Sequence, residues 1–375
     1  MFSLLLLLSS ISLADDHDVC GLPGDTNFLA AMPVSSYSFP PTGPTYPEGI
    51  AVVGSRVITS GPANFGTAGN NSPSQLTVFS RQTGALQAQI PVIGEDLSQE
   101  HALSELYADG NRLYAPSTQL GLLSWKLQGS SVAEQKQLST PFYSTTAGCP
   151  AGIRAGLPPL PNGVTVAADG TAYVTDALQG LVWRVREGAA PVAPEVLFCD
   201  PALQGSGSEG LSMFGANGIA VSGDDLYVAV SFGPFDNMGP SSVIYKLSRS
   251  EPDGLTAVAS FQGVEVAPGL VIPPIVDGLR MAPNGHLFAV LAGQGRVVEM
   301  DVSGDYAVEL ASYAGNDPMV PFVNPSTIDF SPSGDVAYLT NHAITQCLPG
   351  DPNPGCLGYG AAGLFGVFEL CVDGE

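Results

Sequence analysis

The sequence predicts an all-β protein with the fold of a six-bladed β-propeller. Its 375 residues include 45 glycines and 32 prolines, and only 13% of them are charged. That composition is typical of many short strands joined by turns rather than of a helical bundle. A short pattern of alternating strands also recurs six times along the chain. Repetition at this spacing is typical of propeller blades.

Each copy of the repeat opens with a polar residue and continues as an alternating strand, then turns at a Gly paired with Asp or Asn. A second strand rich in Tyr, Val and Leu follows. Three clear copies span Pro161–Val185, Ala216–Leu247 and Val276–Asp301, and weaker copies begin at Pro47, Leu103 and Pro325. Alternation of period two between such turns indicates antiparallel hairpins. One or two β-sandwiches are the alternative, but sandwiches do not repeat one opening motif six times. We therefore expect a single domain over residues 18–375.

Residues 1–14 form an apolar run that ends in the small residues Ser12 and Ala14 and is followed by two aspartates. This pattern indicates a secretory signal peptide, and the run is too short to cross ~30 Å of hydrocarbon. We therefore expect a secreted protein. In such a protein, Asn70 in the sequence Asn-Asn-Ser is a glycosylation site.

Six cysteines follow the signal, an even number that suggests three disulfides in an exported chain. No C-x-x-C pair is present, which argues against zinc or redox sites. Six cysteines allow fifteen pairings, and the sequence does not choose among them. We expect the pairs Cys20–Cys371, which would join the two ends of the chain, Cys149–Cys199 and Cys347–Cys356.

The net charge of −23 excludes whole classes of partner. Nucleic acid and anionic membrane surfaces both need clustered Lys and Arg, and the chain has 12 basic residues in all. We therefore expect neither nucleic acid nor a membrane as a partner. Closure of a propeller removes long exposed sheet edges, through which chains could pair with one another. We therefore expect a monomer.

Aligning the repeats by their first strand gives one equivalent residue per blade, at intervals of 49 to 60 residues. These residues are Glu48, Ser104, Asn162, Asn217, Asp277 and Ser326, and four of them are followed by Gly. The first strands of a propeller surround its axis, so residues at their starts converge there. Glycine beside each residue would let the backbones crowd together.

Glu48 and Asp277 would bring two carboxylates to the axis, and Asn162 and Asn217 two amide carbonyls. These hard oxygens suit Ca²⁺, which takes six to eight oxygen ligands, and they do not suit zinc, copper or iron. Asn-Gly and Asp-Gly are also common turn dipeptides. Ordinary turns come after the first strand, however, whereas these four residues come before it in one register. We therefore predict a calcium site in the central channel.

In these motifs the chain resembles the SMP-30/gluconolactonase/regucalcin-like superfamily of six-bladed propellers, which is similar to paraoxonases and diisopropyl-fluorophosphatase-type hydrolases. The matching segments are Tyr46–Gly49, Pro161–Gly163, Ala216–Gly218 and Val276–Gly278. The resemblance implies a calcium-dependent hydrolase with a small-molecule substrate, a lactone or related ester. The ion would polarise the carbonyl group. Asp277, as a ligand carboxylate, would assist the attack.

Two of the histidines, His101 and His342, are expected near the rim of the channel, where either could carry a proton near neutral pH. A structural role is the alternative for each. Two other functions stay open: a metal-assisted cyclase or isomerase of secondary metabolism, and a binding propeller without catalysis. Trp125 and Trp183 hold matching third-strand positions, and we interpret both as packing between blades.

Overall fold

The computed structural model describes residues 23–32, 47–62, 67–69, 72–128, 131–154, 156–233, 235–236, 239–305, 307–312, 324–341 and 366–372. Within them the chain forms six four-stranded antiparallel sheets and two short two-stranded ones. Each large sheet is one blade of a six-bladed β-propeller, as the sequence predicts.

Blades 1 to 5 each use four consecutive strands, and the first strand of each blade is the inner one. Blade 1 contains Ile50–Val53, Arg56–Gly61, Gln75–Ser80 and Leu86–Pro91, and blade 2 contains Tyr107–Asp109, Arg112–Ser117, Gly121–Gln128 and Ser131–Gln137. Blade 3 contains Pro161–Val166, Ala172–Asp176, Leu181–Val185 and Glu195–Cys199. Blade 4 contains Ala216–Ser222, Asp225–Val230, Ser242–Ser248 and Thr256–Phe261, and blade 5 contains Val276–Met281, Leu287–Leu291, Arg296–Met300 and Ala307–Ser312.

Blade 6 is assembled from both ends of the described chain. Its inner strands are Pro325–Phe330, Val336–Asn341 and Gly366–Cys371, and its outermost strand is Thr26–Ala31. Thr26 pairs with Leu370 and Ala31 with Gly366. The ring therefore closes through backbone hydrogen bonds between residues more than 300 positions apart.

The described residues also form two short hairpins and three short 3₁₀ helices outside the six large sheets. The hairpins pair Phe235–Asp236 with Gly239–Pro240 and Val264–Ala267 with Leu270–Ile272. The 3₁₀ helices are Pro201–Leu203, Gly210–Met213 and Ala292–Gln294. No helix in the described ranges is long and apolar enough to span a membrane.

The tight turns fall where the sequence pattern puts them. Gly170 and Gly285 end the Asp-Gly and Asn-Gly pairs that follow the inner strands of blades 3 and 5, and their φ angles are +79° and +86°. Only glycine adopts such angles without strain. The second strand of each blade can therefore fold straight back along the first.

The hydrophobic core lies between blades. The described residues form six buried clusters, and each one combines side chains from two neighbouring blades, including the pair formed by blades 6 and 1. Trp125 lies between blades 1 and 2 and Trp183 between blades 2 and 3, both at most 1% exposed. The interpretation of the two tryptophans as packing residues is confirmed.

Cys149 and Cys199 form a disulfide with a Cα–Cα distance of 5.5 Å, as expected. Cys371 is also disulfide-bonded. Its expected partner Cys20, the expected pair Cys347–Cys356, the glycosylation site Asn70 and the signal at residues 1–14 lie outside the described residues.

Candidate metal centre on the propeller axis

The predicted ligands lie in a backbone irregularity that recurs at the start of the inner strands. In blades 3, 4, 5 and 6 the first residue of the inner strand is in register with the second strand, the next two residues form a bulge, and the register then resumes. Asn162, Asn217 and Asp277 are each the first of the two bulge residues in their blade. A bulge of this kind redirects a side chain out of the regular pleat, so the three residues have the same local geometry.

The glycines that follow the predicted ligands are needed because neighbouring blades touch there. A Cβ atom on Gly278 would lie 2.6 Å from the carbonyl oxygen of Ser326, and one on Gly218 would lie 2.5 Å from the nitrogen of Leu279. Side chains do not fit at such distances. The expectation that glycine lets the backbones crowd at the axis is confirmed.

Hydroxyl groups of blade 6 bind the backbone of Glu48 in blade 1 and so join the last blade to the first. The carbonyl oxygen of Glu48 accepts hydrogen bonds from the hydroxyls of Ser326, Thr327 and Thr340, at 2.8, 2.7 and 2.9 Å. Ser326 is the equivalent of the ligand position in blade 6, and its short hydroxyl therefore joins two blades. The first and last copies of the repeat are held together at the level of the predicted ligands.

The structure brings the two predicted acids together in a buried environment. Glu48 is 6% exposed and Asp277 is 7% exposed. Burial raises the pKa of Glu48 well above its usual range, and the charges of Asp277 and Glu105 raise this pKa further. The carboxylates of blades 1 and 5 are therefore close enough to repel each other.

The predicted amides come from blades 3 and 4. Asn217 is 6% exposed, and its Nδ2 donates a hydrogen bond of 2.9 Å to Oγ of Ser231. Because Nδ2 of Asn217 is hydrogen-bonded to Ser231, Oδ1 of the same amide points away from Ser231. Asn162 is partly exposed, and its backbone carbonyl accepts a hydrogen bond from Glu105 N.

Glu105 is a further acid of this region, and aligning the six repeats did not identify it. It is 1% exposed, and its pKa is raised to about 8, mainly by burial, against the lowering effect of Arg280. In blade 2 it stands one position after Ser104, where blades 1, 3, 4 and 5 have glycine. That replacement of Gly by Glu is the signal from which it could have been found.

Arg280 provides the positive charge of the channel. It lies three residues beyond Asp277 on the inner strand of blade 5, about 10 Å along the strand. Nη2 donates to the carbonyl oxygens of Leu106 at 2.7 Å and Ile50 at 3.2 Å, and Nε donates to that of Ile328 at 3.2 Å. One guanidinium thus connects blades 1, 2, 5 and 6.

The described donors fit a hard divalent cation. The charge of Glu105 acts on Glu48, and the charges of Asp277 and Asp329 act on Glu105, whereas Arg280 is the cation that acts on Glu105 and Asp329. Such a surplus of buried negative charge is costly unless a cation or protons compensate it. No three His, Cys, Asp or Glu side chains of the described residues are grouped so as to hold a metal on their own. The predicted set has two acids, so it depends on the amides as well.

One of the two predicted proton carriers, His101, lies among backbone carbonyl groups. His101 is fully buried, and its Nδ1 and Nε2 lie 3.0 Å from the carbonyl oxygens of Gln99 and Ser72. Both ring nitrogens therefore face backbone carbonyl groups, which favours the structural role of His101 over proton transfer at the channel rim. His342 lies outside the described residues.

No protein-family model matches the chain, and none of the curated proteins does either. Among solved structures, a calcium-binding regucalcin from Agrobacterium tumefaciens is 14% identical, with 92% of this chain and 93% of that one covered at a TM-score of 0.53. A gluconolactonase from Xanthomonas campestris is 16% identical, covering 88% and 87% of the two chains at a TM-score of 0.48. A virginiamycin B lyase from Staphylococcus aureus is 11% identical, covering 93% and 99% at 0.48.

At these identities a likeness concerns the fold. The regucalcin match extends over nearly all of both chains, and it agrees with the closed ring of six blades. The resemblance drawn from the sequence is thus confirmed at that level: the chain has the six-bladed propeller fold of the SMP-30/gluconolactonase/regucalcin-like proteins.

Proposed function

We propose that this protein is a secreted, calcium-dependent hydrolase that acts on a lactone or a related small ester. The observation that carries the proposal is the buried meeting of Glu48 and Asp277 at the starts of two inner strands, with Asn217 held in the same bulge geometry. Two like charges are buried together at a cost that a divalent cation would remove.

Glu48, Asn162, Asn217 and Asp277 would hold the ion through side-chain oxygens. Bound there, Ca²⁺ supplies a Lewis acid that polarises a carbonyl group. Asp277, as a ligand carboxylate, would take the proton from the attacking water, in the role that the family resemblance implies. A carboxylate is a weak base, which suits an activated ester or lactone better than an amide.

The ring around the ligands keeps these groups in place. Ser231 orients the amide of Asn217, and the hydroxyls of blade 6 fix the backbone of Glu48. Arg280 ties blade 5, which carries Asp277, to blade 1, which carries Glu48. Held between blades in this way, the donors need little reorganisation when an ion or substrate binds.

The test is a screen of the purified protein against aldonolactones and aryl esters, with calcium and with a chelator. We expect turnover in calcium only, and its loss in Asp277→Asn. Asp225→Asn is the control, because Asp225 lies on the blade surface in a solvent-exposed pair with Lys246. Full activity of Asp277→Asn would exclude its role as base. Calcium binding without turnover of any lactone or ester would instead indicate a binding propeller.

A further inference from the structure

Glu105 directly follows the aligned polar residue of blade 2, at a position where four other blades have glycine. The equivalent residues are Gly49, Gly163, Gly218 and Gly278. Backbones of neighbouring blades meet at these glycines. A glutamate in the same ring is surrounded by backbone and is only 1% exposed. A carboxylate buried this deeply is destabilising unless it has a partner.

The backbone of blades 1 and 3 surrounds Glu105 and accommodates its side chain. The backbone nitrogen of Val164 donates a hydrogen bond of 3.0 Å to Oε2 of Glu105. A Cβ atom on Gly163 would lie 3.0 Å from that same oxygen, and one on Gly49 would lie 2.6 Å from the carbonyl carbon of Glu105. Glu105 therefore lies between the residues that directly follow the ligands Glu48 and Asn162.

The second carboxylate oxygen of Glu105 has no hydrogen-bond partner among the described residues. Oε1 of Glu105 is buried and has no hydrogen bond within the described part of the chain. The channel arginine directs its donors elsewhere, since Arg280 bonds the carbonyls of Leu106, Ile50 and Ile328 and pairs with Asp329. An unpartnered buried oxygen calls for an occupant such as water or an ion.

We propose that Glu105 is a third acidic residue of the axial cation site, and that its Oε1 accepts a hydrogen bond from a water molecule in the shell of the bound ion. The proposal rests on the proposed calcium site. Contact through water agrees with the absence of a grouping of three such side chains able to hold the metal directly among the described residues. It also agrees with the charge interactions of these acids, because the charge of Glu105 raises the pKa of Glu48 and the charge of Asp277 raises the pKa of Glu105.

Outer-shell carboxylates of this type change metal affinity by about 10- to 100-fold. The experiment is calcium titration by calorimetry on metal-stripped protein, comparing the wild type with Glu105→Gln. Glutamine keeps the shape and can still accept the Val164 hydrogen bond, so the metal-free fold should persist. We expect calcium binding about 10- to 100-fold weaker in Glu105→Gln, and a still larger loss in Glu48→Gln.

Glu95→Gln is the matched control. Oε2 of Glu95 also accepts a backbone N–H, that of Ser74 at 2.8 Å, and its Oε1 is also buried without a hydrogen bond in the described residues. Glu95 belongs to the connection between blades 1 and 2 and not to the ring of ligands. Its substitution should leave calcium affinity within threefold of the wild type.

The outcomes separate this proposal from the proposed function. If the wild type binds calcium and Glu48→Gln weakens it while Glu105→Gln does not, the role of Glu105 is refuted and the calcium site stands. If the wild type binds no calcium, both are refuted. Should Glu105→Gln fail to fold, as judged by circular dichroism, Glu105→Asp replaces it. That variant withdraws the carboxylate by one methylene and should weaken binding in the same way, and unchanged affinity would again refute the proposal.

Discussion

The guanidinium of Arg280 and the carboxylate of Asp329 form an ion pair across the boundary between blades 5 and 6, with 3.4 Å between Nε and Oδ1. The other oxygen of Asp329 accepts a hydrogen bond of 2.7 Å from the backbone nitrogen of Val52, in blade 1. The guanidinium also lies 4.9 Å from the ring centroid of Tyr107, in blade 2. The pair is thus the centre of a contact among four blades.

Replacing Arg280 by methionine should destabilise the fold by about 3–5 kcal/mol, because it leaves Asp329 and Glu105 buried without their cation. Chemical denaturation of the metal-free protein measures the loss. The double variant Arg280→Met, Asp329→Asn should recover part of it, since the unpaired charge is removed as well. A loss below about 1 kcal/mol, or full additivity of the two substitutions, would contradict the buried pair.

Removal of calcium should lower stability by mass action. An ion that binds only the folded state contributes about 2.7 kcal/mol at a free concentration 100 times its Kd. Thermal unfolding in calcium and in chelator measures this difference. Glu48→Gln should show a much smaller calcium effect than the wild type, because it lacks one of the two ligand carboxylates. Superimposable unfolding curves for the wild type would argue against a bound ion.

Gly163→Ala tests the crowding of the ring. The added methyl group would clash with the carbonyl oxygen of Asn217 and lie 3.0 Å from Oε2 of Glu105. We expect a loss of about 1–3 kcal/mol, as for overpacked cores. Gly254→Ala is the control, since its methyl group would meet nothing within 4 Å, and its effect should stay within about 0.5 kcal/mol. Equal effects of the two substitutions would show that blades 3 and 4 do not touch as described.

The sequence predicted the parts of this structure that depend on local pattern. Period-two alternation and Gly turns are local, so the blades could be recognised from single copies. The predicted ligand positions could be aligned because a bulge with glycine as its second residue leaves the same short motif in blades 3, 4 and 5. Glu105 breaks that motif in blade 2 and was missed for that reason.

Other features depend on pairing between distant parts of the chain. The closing strand Thr26–Ala31 is defined by its partner Gly366–Cys371, and nothing in its own residues indicates that pairing. The surroundings of His101 come from carbonyl groups at Ser72 and Gln99, whose approach depends on how the connection between blades 1 and 2 folds. Spacing along the chain does not reveal such contacts.

The disulfide Cys149–Cys199 should be a major source of stability. It closes a loop with a sequence separation of 50 residues, and chain-entropy arguments give about 4 kcal/mol for a loop of that size. The double variant Cys149→Ser, Cys199→Ser should lose roughly that amount in chemical denaturation. Substitution is preferable to a reducing agent, because Cys371 is disulfide-bonded as well. An unchanged free energy of unfolding would mean that the loop is held by its other contacts.

The ion pair of Asp169 with Arg249 joins the turn of blade 3 to blade 4 at 2.8 Å. The hydrogen bond from Arg249, followed by those from Thr171, lowers the pKa of Asp169 to about 2. Because the pKa of Asp169 is lowered in the folded state, this contact stabilises the fold at pH values above about 4, the ordinary pKa of an aspartate. The stabilisation is then lost as the pH falls from there through about 2.

Arg249→Met should therefore return the pKa of Asp169 part of the way toward its ordinary value, with the bonds from Thr171 keeping it below. Carboxyl carbon chemical shifts followed by NMR between pH 1.5 and 6 measure this pKa directly, with Lys246→Met as a control on the same blade, since Lys246 pairs with Asp225 instead. The side chain of Asp169 is 54% exposed, so solvent screening keeps the accompanying change in stability small. A pKa of Asp169 that is unaltered by Arg249→Met would show that the turn alone sets it and that blades 3 and 4 are not joined by this pair.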